Sequence, residues 1–380
     1  MSQEIQTSID EITIVLFVKK GSIREIEEWE REAEKMITEF AQRARLEKIF
    51  GSKMELDDKC PQGYSTGYQF GHNPFYFAIA YHPSHPKMGV IVKFSAYSWY
   101  VYCTLGETNV KKFLHTIQSD TYDCRLSRID LAIDYQNWDI CVNDIWSNLS
   151  NGHLEIHNSD GKKNHSILSA LVVDGIADTF YVGSKKTGTR LFLRVYDKRK
   201  EQIEKKGFRC KEAAETTTWI RFEAVFKSDY AHQLTNLIMN TKDENLHHLI
   251  ANKIAEKYRF YDSDNKKYTD YTMALLEKSR IQFQNLYLKS TRDNNLIGSL
   301  LHLITGSGLF STLYKCDEIW GNSASTDLLQ CLHDIYFHYY KPNDDVLLWL
   351  KKNKSLMEKQ SLEEEIETLK EIKFGNIEDE

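Results

Sequence analysis

Three segments of the chain carry polar or charged residues at alternate positions between apolar ones. They read RIDLAID at 128–134, LFLRVYDK at 191–198 and RFEAVFK at 221–227. Because alternate residues of a β-strand face the same side, each segment is predicted to be a strand with one apolar and one polar face. The polar faces carry Arg128, Asp130 and Asp134 on the first strand, Arg194, Tyr196 and Lys198 on the second, and Arg221, Glu223 and Lys227 on the third.

The residue types on these polar faces suit phosphate chemistry. Two carboxylates can hold a hard divalent cation, which polarises a phosphate oxygen. A tyrosine hydroxyl can serve as the nucleophile, although its pKa of about 10 means that neighbouring cations such as Arg194 and Lys198, or the metal ion, are needed to favour the phenolate. If the three strands are neighbours, Asp130, Glu223 and Tyr196 converge on one site.

The same alternation also fits ordinary antiparallel strands whose solvated faces are laced by cross-strand ion pairs. In that interpretation Arg194 and Arg221 are salt-bridge partners of Asp130 and Glu223. Paired carboxylates would also suit a glycosidase, which needs an acid and a base flanking a sugar, but the basic surroundings argue against that class. The alternation by itself does not distinguish a functional site from a solvated face.

The remaining sequence mixes predicted strands and helices without regular alternation. A buried strand is predicted over 12–18, helical spacing follows over 26–40, and a strand pair with a proline-containing turn is predicted over 76–104. Beyond residue 241 the pattern is mainly helical. We therefore predict a sheet domain over 1–245 that carries the three polar strands, a helical C-terminal domain over 246–360 and an acidic tail over 361–380.

Charge is distributed unevenly along the chain, whose formal net charge is −6. Between residues 181 and 227, Lys and Arg clearly outnumber Asp and Glu, whereas the last forty residues are acidic. A basic middle segment is what a phosphate-contacting surface needs.

The apolar run near the start is too short to span a membrane, so we expect a cytoplasmic protein. The seven cysteines show no zinc spacing and are predicted to be free thiols, mostly buried.

At these residues the sequence resembles the replication initiation factor family, the Rep_trans group of plasmid rolling-circle initiators and related relaxases of conjugative elements. The matching segments, in the family's order and spacing, are RIDLAID (128–134), FYVGSKKTGTRLFLRVYDKRKE (180–201) and WIRFE (219–223). The resemblance covers about 100 residues. It implies a protein that nicks one DNA strand at an origin and later rejoins it.

The resemblance also implies roles for individual residues. Tyr196 matches the tyrosine that becomes joined to the 5′ phosphate, with Arg194 and Lys198 beside it. Asp130 and Glu223 match acids that hold a divalent metal, Mg²⁺ or Mn²⁺, with Asp134 and Glu201 as further candidate ligands. Lys185, Lys186, Arg190 and Arg221 are expected to contact DNA.

Further expectations follow from the same resemblance. The family fold is α+β, with a twisted, mostly antiparallel sheet, helices packed on one face and a mainly helical C-terminal region. Its members act on an origin hairpin that is single-stranded at the nick, recruit a host helicase and are often homodimers. By this resemblance, residues 1–245 are the nicking domain and residues 246–360 serve origin binding or dimerisation. A second basic surface is predicted between residues 253 and 280, beginning at Lys253.

Two other functions share these features. A conjugative relaxase would use the same chemistry, and the sequence does not separate it from a plasmid initiator. A catalytically inactive DNA-binding regulator would keep the basic strands without needing Tyr196, Asp130 and Glu223 together. All three residues are present, which favours an enzyme.

Overall fold

The computed structural model of the 380-residue chain describes residues 2–19, 26–72, 76–186, 188–286 and 296–343, together with a few positions between 346 and 363. Its strands are β1 (Glu4–Val18), β2 (Lys53–Glu55), β3 (Thr66–Phe70), β4 (Phe77–Tyr81), β5 (Val90–Phe94), β6 (Tyr122–Gln136), β7 (Leu154–His157), β8 (Leu168–Val173), β9 (Ile176–Val182), β10 (Leu191–Asp197), β11 (Trp219–Lys227), β12 (Arg259–Asp262) and β13 (Lys267–Tyr268). Its helices are α1 (Ile26–Arg43), α2 (Leu46–Phe50), α3 (Ala96–Gly106), α4 (Val110–Thr116), α5 (Val142–Asn151), α6 (Lys198–Glu204), α7 (Cys210–Ala214), α8 (Asp229–Asn240), α9 (Leu246–Lys257), α10 (Asp270–Lys278), α11 (Leu296–Thr305), α12 (Leu309–Trp320) and α13 (Ala324–Tyr339).

Ten of these strands form one sheet in the order β2-β3-β4-β5-β1-β6-β11-β10-β9-β8, and β13-β12-β7 form a smaller one. Among the described residues every named strand pair is antiparallel. The predicted α+β class is therefore confirmed. The three strands with alternating polar residues are the consecutive neighbours β6, β11 and β10, near the middle of the sheet.

One face of the large sheet carries the core. The strand register aligns Phe77, Phe94, Ile12, Ile129 and Phe226 in a row across five strands, and all five are buried. Aromatic and β-branched side chains fit such cross-strand rows because they fill the pleated surface. Helices cover this row through aromatic contacts, since rings from α3 and α4 pack against the phenylalanine of β5 at centroid distances of 5.2 to 5.6 Å.

The chain separates into two compact units, Met1–Tyr287 and Leu288–Glu380. This division lies further along the chain than the predicted boundary after residue 245. The reason is that α9 buries Leu249 and Ile254, while β12 pairs with β7 and the Tyr135 hydroxyl donates to the Tyr271 carbonyl oxygen. In the second unit, α12 and α13 have no buried residue. Almost all of the predicted acidic tail lies outside the described residues.

Two smaller expectations are also tested. None of the described helices is both long and apolar enough to cross a membrane. All seven cysteines are free, as predicted, but none is fully buried, because five are half-buried and Cys141 and Cys331 are exposed. The expectation that most are buried was wrong.

Candidate active site

The register of three neighbouring strands brings the predicted residues to one face of the sheet. On β6 and β11, Asp130 lies opposite Val225 and Asp134 lies opposite Arg221. On β11 and β10, Glu223 lies opposite Arg194 and Arg221 lies opposite Tyr196. Residues directly opposite each other, and those two positions away, share a face. The predicted convergence of Asp130, Glu223 and Tyr196 is therefore confirmed.

This polar face is buried, whereas the simplest interpretation of the sequence made it a solvated surface. The side chains lie at the floor of a cleft of about 410 Å³, bordered by α3, by α6 and by the loop after β9. Asp130 is 1% exposed, Glu223 2% and Tyr196 5%. Charges buried this deeply must be paired or hydrogen-bonded, so the contacts between them decide what the cleft can do.

Tyr196 contacts one carboxylate and two positively charged side chains. Its hydroxyl donates to Glu223 Oε2 at 3.2 Å, and Lys198 Nζ lies 3.4 Å from Tyr196 Oη. The guanidinium of Arg194 lies over the tyrosine ring, 4.5 Å from the ring centroid. Burial raises the pKa of Tyr196 well above its usual value, and the Glu223 carboxylate adds to the shift. These two effects outweigh the nearby arginines, whose charges act to lower the pKa of Tyr196.

The two candidate metal-holding acids are each paired with an arginine from their own or the adjacent strand. Arg128 Nε and Nη2 contact the two oxygens of Asp130 at 2.9 and 2.7 Å. Arg194 Nη2 contacts both oxygens of Glu223 at 2.8 and 2.7 Å. Burial nevertheless raises the pKa of Asp130 well above its usual value, and that of Glu223 as well, and neighbouring carboxylates add to both shifts. Their negative charge is thus incompletely compensated.

Asp134 and Arg221 form a separate ion pair in the interior of the sheet. Arg221 Nε and Nη2 contact the two oxygens of Asp134 at 2.7 Å each, and Arg221 Nη1 contacts Asp10. Burial opposes ionisation of Asp134, but Arg221 more than offsets it and holds the Asp134 pKa below its usual value. Arg221, which the resemblance assigned to DNA contact, is only 1% exposed. In this structure it positions the neighbouring strands.

Lys198 and Glu201 lie where β10 passes directly into α6. Asp197 ends the strand, and its side chain caps the helix by accepting from the Lys200 backbone N at 2.8 Å. Lys198 Nζ contacts Glu201 Oε2 at 2.6 Å. Burial opposes ionisation of Glu201, but the Lys198 ammonium group lowers its pKa. The carboxylate of Glu201 therefore orients Lys198 beside the tyrosine.

The remaining basic candidates lie at the surface. Lys185 and Lys186 are exposed in the loop between β9 and β10, and Lys185 also lines the cleft with its Nζ 3.7 Å above the Tyr181 ring. Arg190 pairs with Asp229 at 3.5 Å. The prediction that Lys253 begins a second basic surface was wrong, because its side chain is fully buried against Glu256.

Sequence reasoning missed two acids of the cleft, Asp10 and Glu11. The register of β1 against β6 skips from Ile9–Leu131 to Ile12–Ile129, so these residues lie in a β-bulge that adds one residue to β1. Glu11 Oε1 lies 2.7 Å from Arg128 Nη1, and both acids line the cleft. A bulge redirects side chains without leaving any signal in the alternation of the sequence.

Comparison with known proteins supports the resemblance. Residues 124–284, less than half of the chain, match the model of the Rep_trans family, described as replication initiation factor. The predicted family resemblance is confirmed. This matched segment runs from β6 to the residues after α10 and holds every predicted site residue. Asp10 and Glu11 lie before it.

The fold is similar to a solved one. The structure of the rolling circle replication initiator protein from Geobacillus stearothermophilus aligns with a TM-score of 0.51 and 15% identity. The alignment covers 75% of this chain and 100% of that chain. At this identity the likeness is one of fold. Among curated proteins, none matches this chain.

The side chains of the segment that matches the Rep_trans model indicate whether it could hold a divalent metal. Among the described residues, no group of three or more His, Cys, Asp or Glu is placed to hold a metal ion. Asp130 and Glu223 are hard oxygen donors on adjacent strands with incompletely compensated charge. Mg²⁺ is commonly bound by one or two carboxylates, with water and substrate phosphates completing its shell. The pair fits that kind of site, but a cage made only of protein ligands does not fit.

The opposite pKa shifts of Asp134 and Asp130 predict opposite pH dependences of stability. The pKa of Asp134 is lowered on folding, so its stabilisation is present above the usual value of 3.8 and is lost as pH falls through the folded pKa. Asp134→Asn should therefore lower the free energy of unfolding by about 3–5 kcal/mol at neutral pH, as for other broken buried pairs.

The pKa of Asp130 is raised, so its ionisation opposes folding as pH rises above 3.8. Asp130→Asn should gain stability relative to the wild type as pH rises.

Urea unfolding of both variants and the wild type, at about pH 3, about pH 5 and about pH 8, measures these differences. An Asp130→Asn variant that loses as much stability as Asp134→Asn at both about pH 5 and about pH 8 would contradict the assignment. It would mean that Arg128 fully compensates the carboxylate of Asp130.

Proposed function

We propose that this chain is a rolling-circle replication initiator that nicks one DNA strand at an origin through Tyr196, forms a 5′-phosphotyrosyl intermediate and rejoins the strand. The observation that carries this proposal is the hydroxyl of Tyr196 in a cleft between Glu223 and Lys198. It lies within the segment that matches replication initiation factors. The structure of similar fold is that of a rolling circle replication initiator protein, which agrees with the proposal.

The raised pKa of Tyr196 means that its proton must leave during the attack on phosphorus. Glu223 already accepts that proton in a hydrogen bond, and the raised pKa of this carboxylate makes it a stronger base than an ordinary glutamate. As the bond between tyrosine oxygen and phosphorus forms, the proton passes to Glu223. The bond from phosphorus to the 3′ oxygen breaks, and that oxygen takes a proton from solvent. The reverse reaction rejoins the strand without ATP, because the phosphotyrosine retains the phosphodiester energy.

Arg194 and Lys198 stabilise the charge that develops on the phosphate. Arg194 Nε is buried and has no hydrogen-bond acceptor among the described residues, so it can donate to a bound phosphate oxygen. Lys198 Nζ is fixed by Glu201 within reach of the tyrosine oxygen. Fixed donors beside developing negative charge lower the barrier without reorganising during the reaction.

Asp130 and the Oε1 atom of Glu223, which Tyr196 does not contact, are the groups that would hold a divalent cation, Mg²⁺ or Mn²⁺. When bound, the cation would act as a Lewis acid on a phosphate oxygen. Asp134 and Glu201, the other predicted ligands, instead hold Arg221 and Lys198.

The substrate and partners follow from the same proposal. Lys185, Lys186 and Arg190 contact the phosphates of DNA that is single-stranded at the nick. A host helicase and a second copy of the chain are further partners drawn from the family resemblance. A relaxase of a conjugative element would share every step proposed for the cleft. A catalytically inactive regulator would have no use for the buried arrangement around Tyr196.

Tyr196→Phe removes one oxygen and retains the ring, so we expect fold and DNA affinity to stay close to those of the wild type. Nicking of a supercoiled origin plasmid should be lost almost completely, because no other group can replace a covalent nucleophile. Tyr181→Phe is the matched control, since Tyr181 is buried in the same cleft on the adjacent strand, and it should still nick. Covalent adduct formation by Tyr196→Phe would refute the assignment.

Cation binding can be measured without any nicking activity. Titration with Mn²⁺, followed by electron paramagnetic resonance, should show one site in the wild type that weakens at least tenfold in Asp130→Asn and in Glu223→Gln. Asp178→Asn is the control, because this acid lies on β9 and pairs with exposed Lys200. Equal Mn²⁺ affinity in all four proteins would show that the two buried acids hold only arginines.

The basic loop should determine how DNA affinity depends on salt. Replacing Lys185, Lys186 and Arg190 by Gln should lower the slope of log affinity against log salt by about two to three, because each neutralised phosphate contributes about 0.9. A control variant in which exposed Lys266 and Lys267 are replaced by Gln should retain the wild-type slope. A slope that falls only in the control would place the DNA on the smaller sheet.

A further inference from the structure

Three aromatic rings form a stack at the mouth of the Tyr196 cleft. The Phe208 ring lies 4.6 Å from the Tyr97 ring with an interplanar angle of 9°, and 4.7 Å from the Tyr100 ring at 34°. Tyr97 and Phe208 line the cleft together with Tyr196 and Arg194. The active site described above uses none of the three rings.

Two rings of the stack, Tyr97 and Tyr100, are open to solvent and Phe208 is half-buried, whereas the aromatic clusters of the core are buried. Tyr97 is 38% exposed and Tyr100 is 45% exposed, and they are the two most exposed phenylalanine, tyrosine or tryptophan residues among the described residues of the first unit. A stack that served only to pack α3 against the neighbouring loop would be expected to bury its rings. Exposed apolar surface beside a functional cleft instead indicates a binding surface.

The loop that carries Phe208 is held rigidly. Gln202 is 4% exposed, and its side-chain oxygen accepts from Arg209 N at 2.8 Å, while its backbone oxygen accepts from Gly207 N at 2.9 Å. A Cβ at Gly207 would lie 2.4 Å from this side-chain oxygen, so only glycine permits the close approach. Phe208 is therefore presented by a preformed turn, which lowers the entropy lost when a ligand binds.

Exposed lysines lie on both sides of the ring along the chain. Lys206 and Lys211 are exposed, and the Lys205 side chain is 73% exposed although its Nζ lies 3.5 Å from Glu201. Aromatic rings for bases and nearby cations for phosphates are the two components of single-strand binding surfaces. Duplex DNA does not offer base faces to such rings, because its bases already stack on one another.

We propose that Phe208, supported by Tyr97 and Tyr100, is a base-stacking platform that binds one unpaired nucleotide next to the scissile phosphate. This inference rests on the proposed function, because it takes single-stranded DNA in the Tyr196 cleft as the substrate. The ring faces select for an unpaired base without selecting its identity, since every base has an aromatic face. The platform thus places the strand so that a phosphate reaches Tyr196.

The test uses Tyr196→Phe as the background protein, so that no chemistry occurs, and thymidine oligonucleotides carrying a single 2-aminopurine at successive positions. One position should show fluorescence quenching by stacking. Adding Phe208→Leu should abolish this quenching and weaken binding about tenfold or more, whereas Phe208→Trp should retain both. Leu105→Ala is the control, because Leu105 lies on α3 and is 64% exposed, and it should bind like the background protein.

An abasic site at the quenched position gives the decisive comparison. It should weaken binding by the background protein to the level of Phe208→Leu, and it should not weaken the Phe208→Leu protein further. Unchanged affinity and quenching in Phe208→Leu would overturn the platform and leave the ring a packing role. A loss of affinity on the abasic strand that is as large in the Phe208→Leu protein as in the background protein would also overturn the platform. These readouts involve no nicking, so failure of the platform and failure of Tyr196 as nucleophile are separately visible.

Discussion

The buried ion pair between Arg221 and Asp134 is the interaction on which the site depends. Arg221 extends from β11 to contact Asp134 on β6 and Asp10 on β1, and it lies opposite Tyr196 on β10. One guanidinium group therefore links three strands and adjoins the fourth. Its charge is removed from water, so its partners must stay in place, because an unpaired buried charge costs several kcal/mol. That requirement fixes the polar face of the sheet in one arrangement.

The same requirement shapes the chemistry of the cleft. Among the described residues, five carboxylates but four cationic side chains line the cleft around Tyr196, so negative charge there is incompletely balanced. The tyrosine remains protonated, and Glu223 is a ready acceptor for its proton. A bound phosphate would add further negative charge, and for that reason the unpaired donor on Arg194 and a divalent cation are both compatible with the site. Burial thus gives these ion pairs the raised carboxyl pKa values on which the proposed cation binding and proton transfer depend.

The alternation of residues in three short strands was sufficient to predict which side chains meet. It placed Asp130, Glu223 and Tyr196 on one face, because a period of two decides the face of a strand wherever the strand is regular. It did not predict that this face is buried, since burial depends on α3, α6 and the loop that carries Phe208, which come from distant parts of the chain. It also missed Asp10 and Glu11, because they lie in a bulge, and it placed the domain boundary before α9, whose packing depends on tertiary contacts.

The bulge in β1 also affects how the molecule comes to be active. Asp10 and Glu11 reach the cleft only when the first strand of the chain pairs with β6, more than a hundred residues later, and β6 must in turn pair with β11. Contacts between such distant segments form slowly, since the intervening loops must close first. An incompletely folded chain therefore holds Tyr196 beside a polar face that still lacks two of its acids. The order of the strands makes the complete cleft, and the DNA cutting proposed for it, a late product of folding.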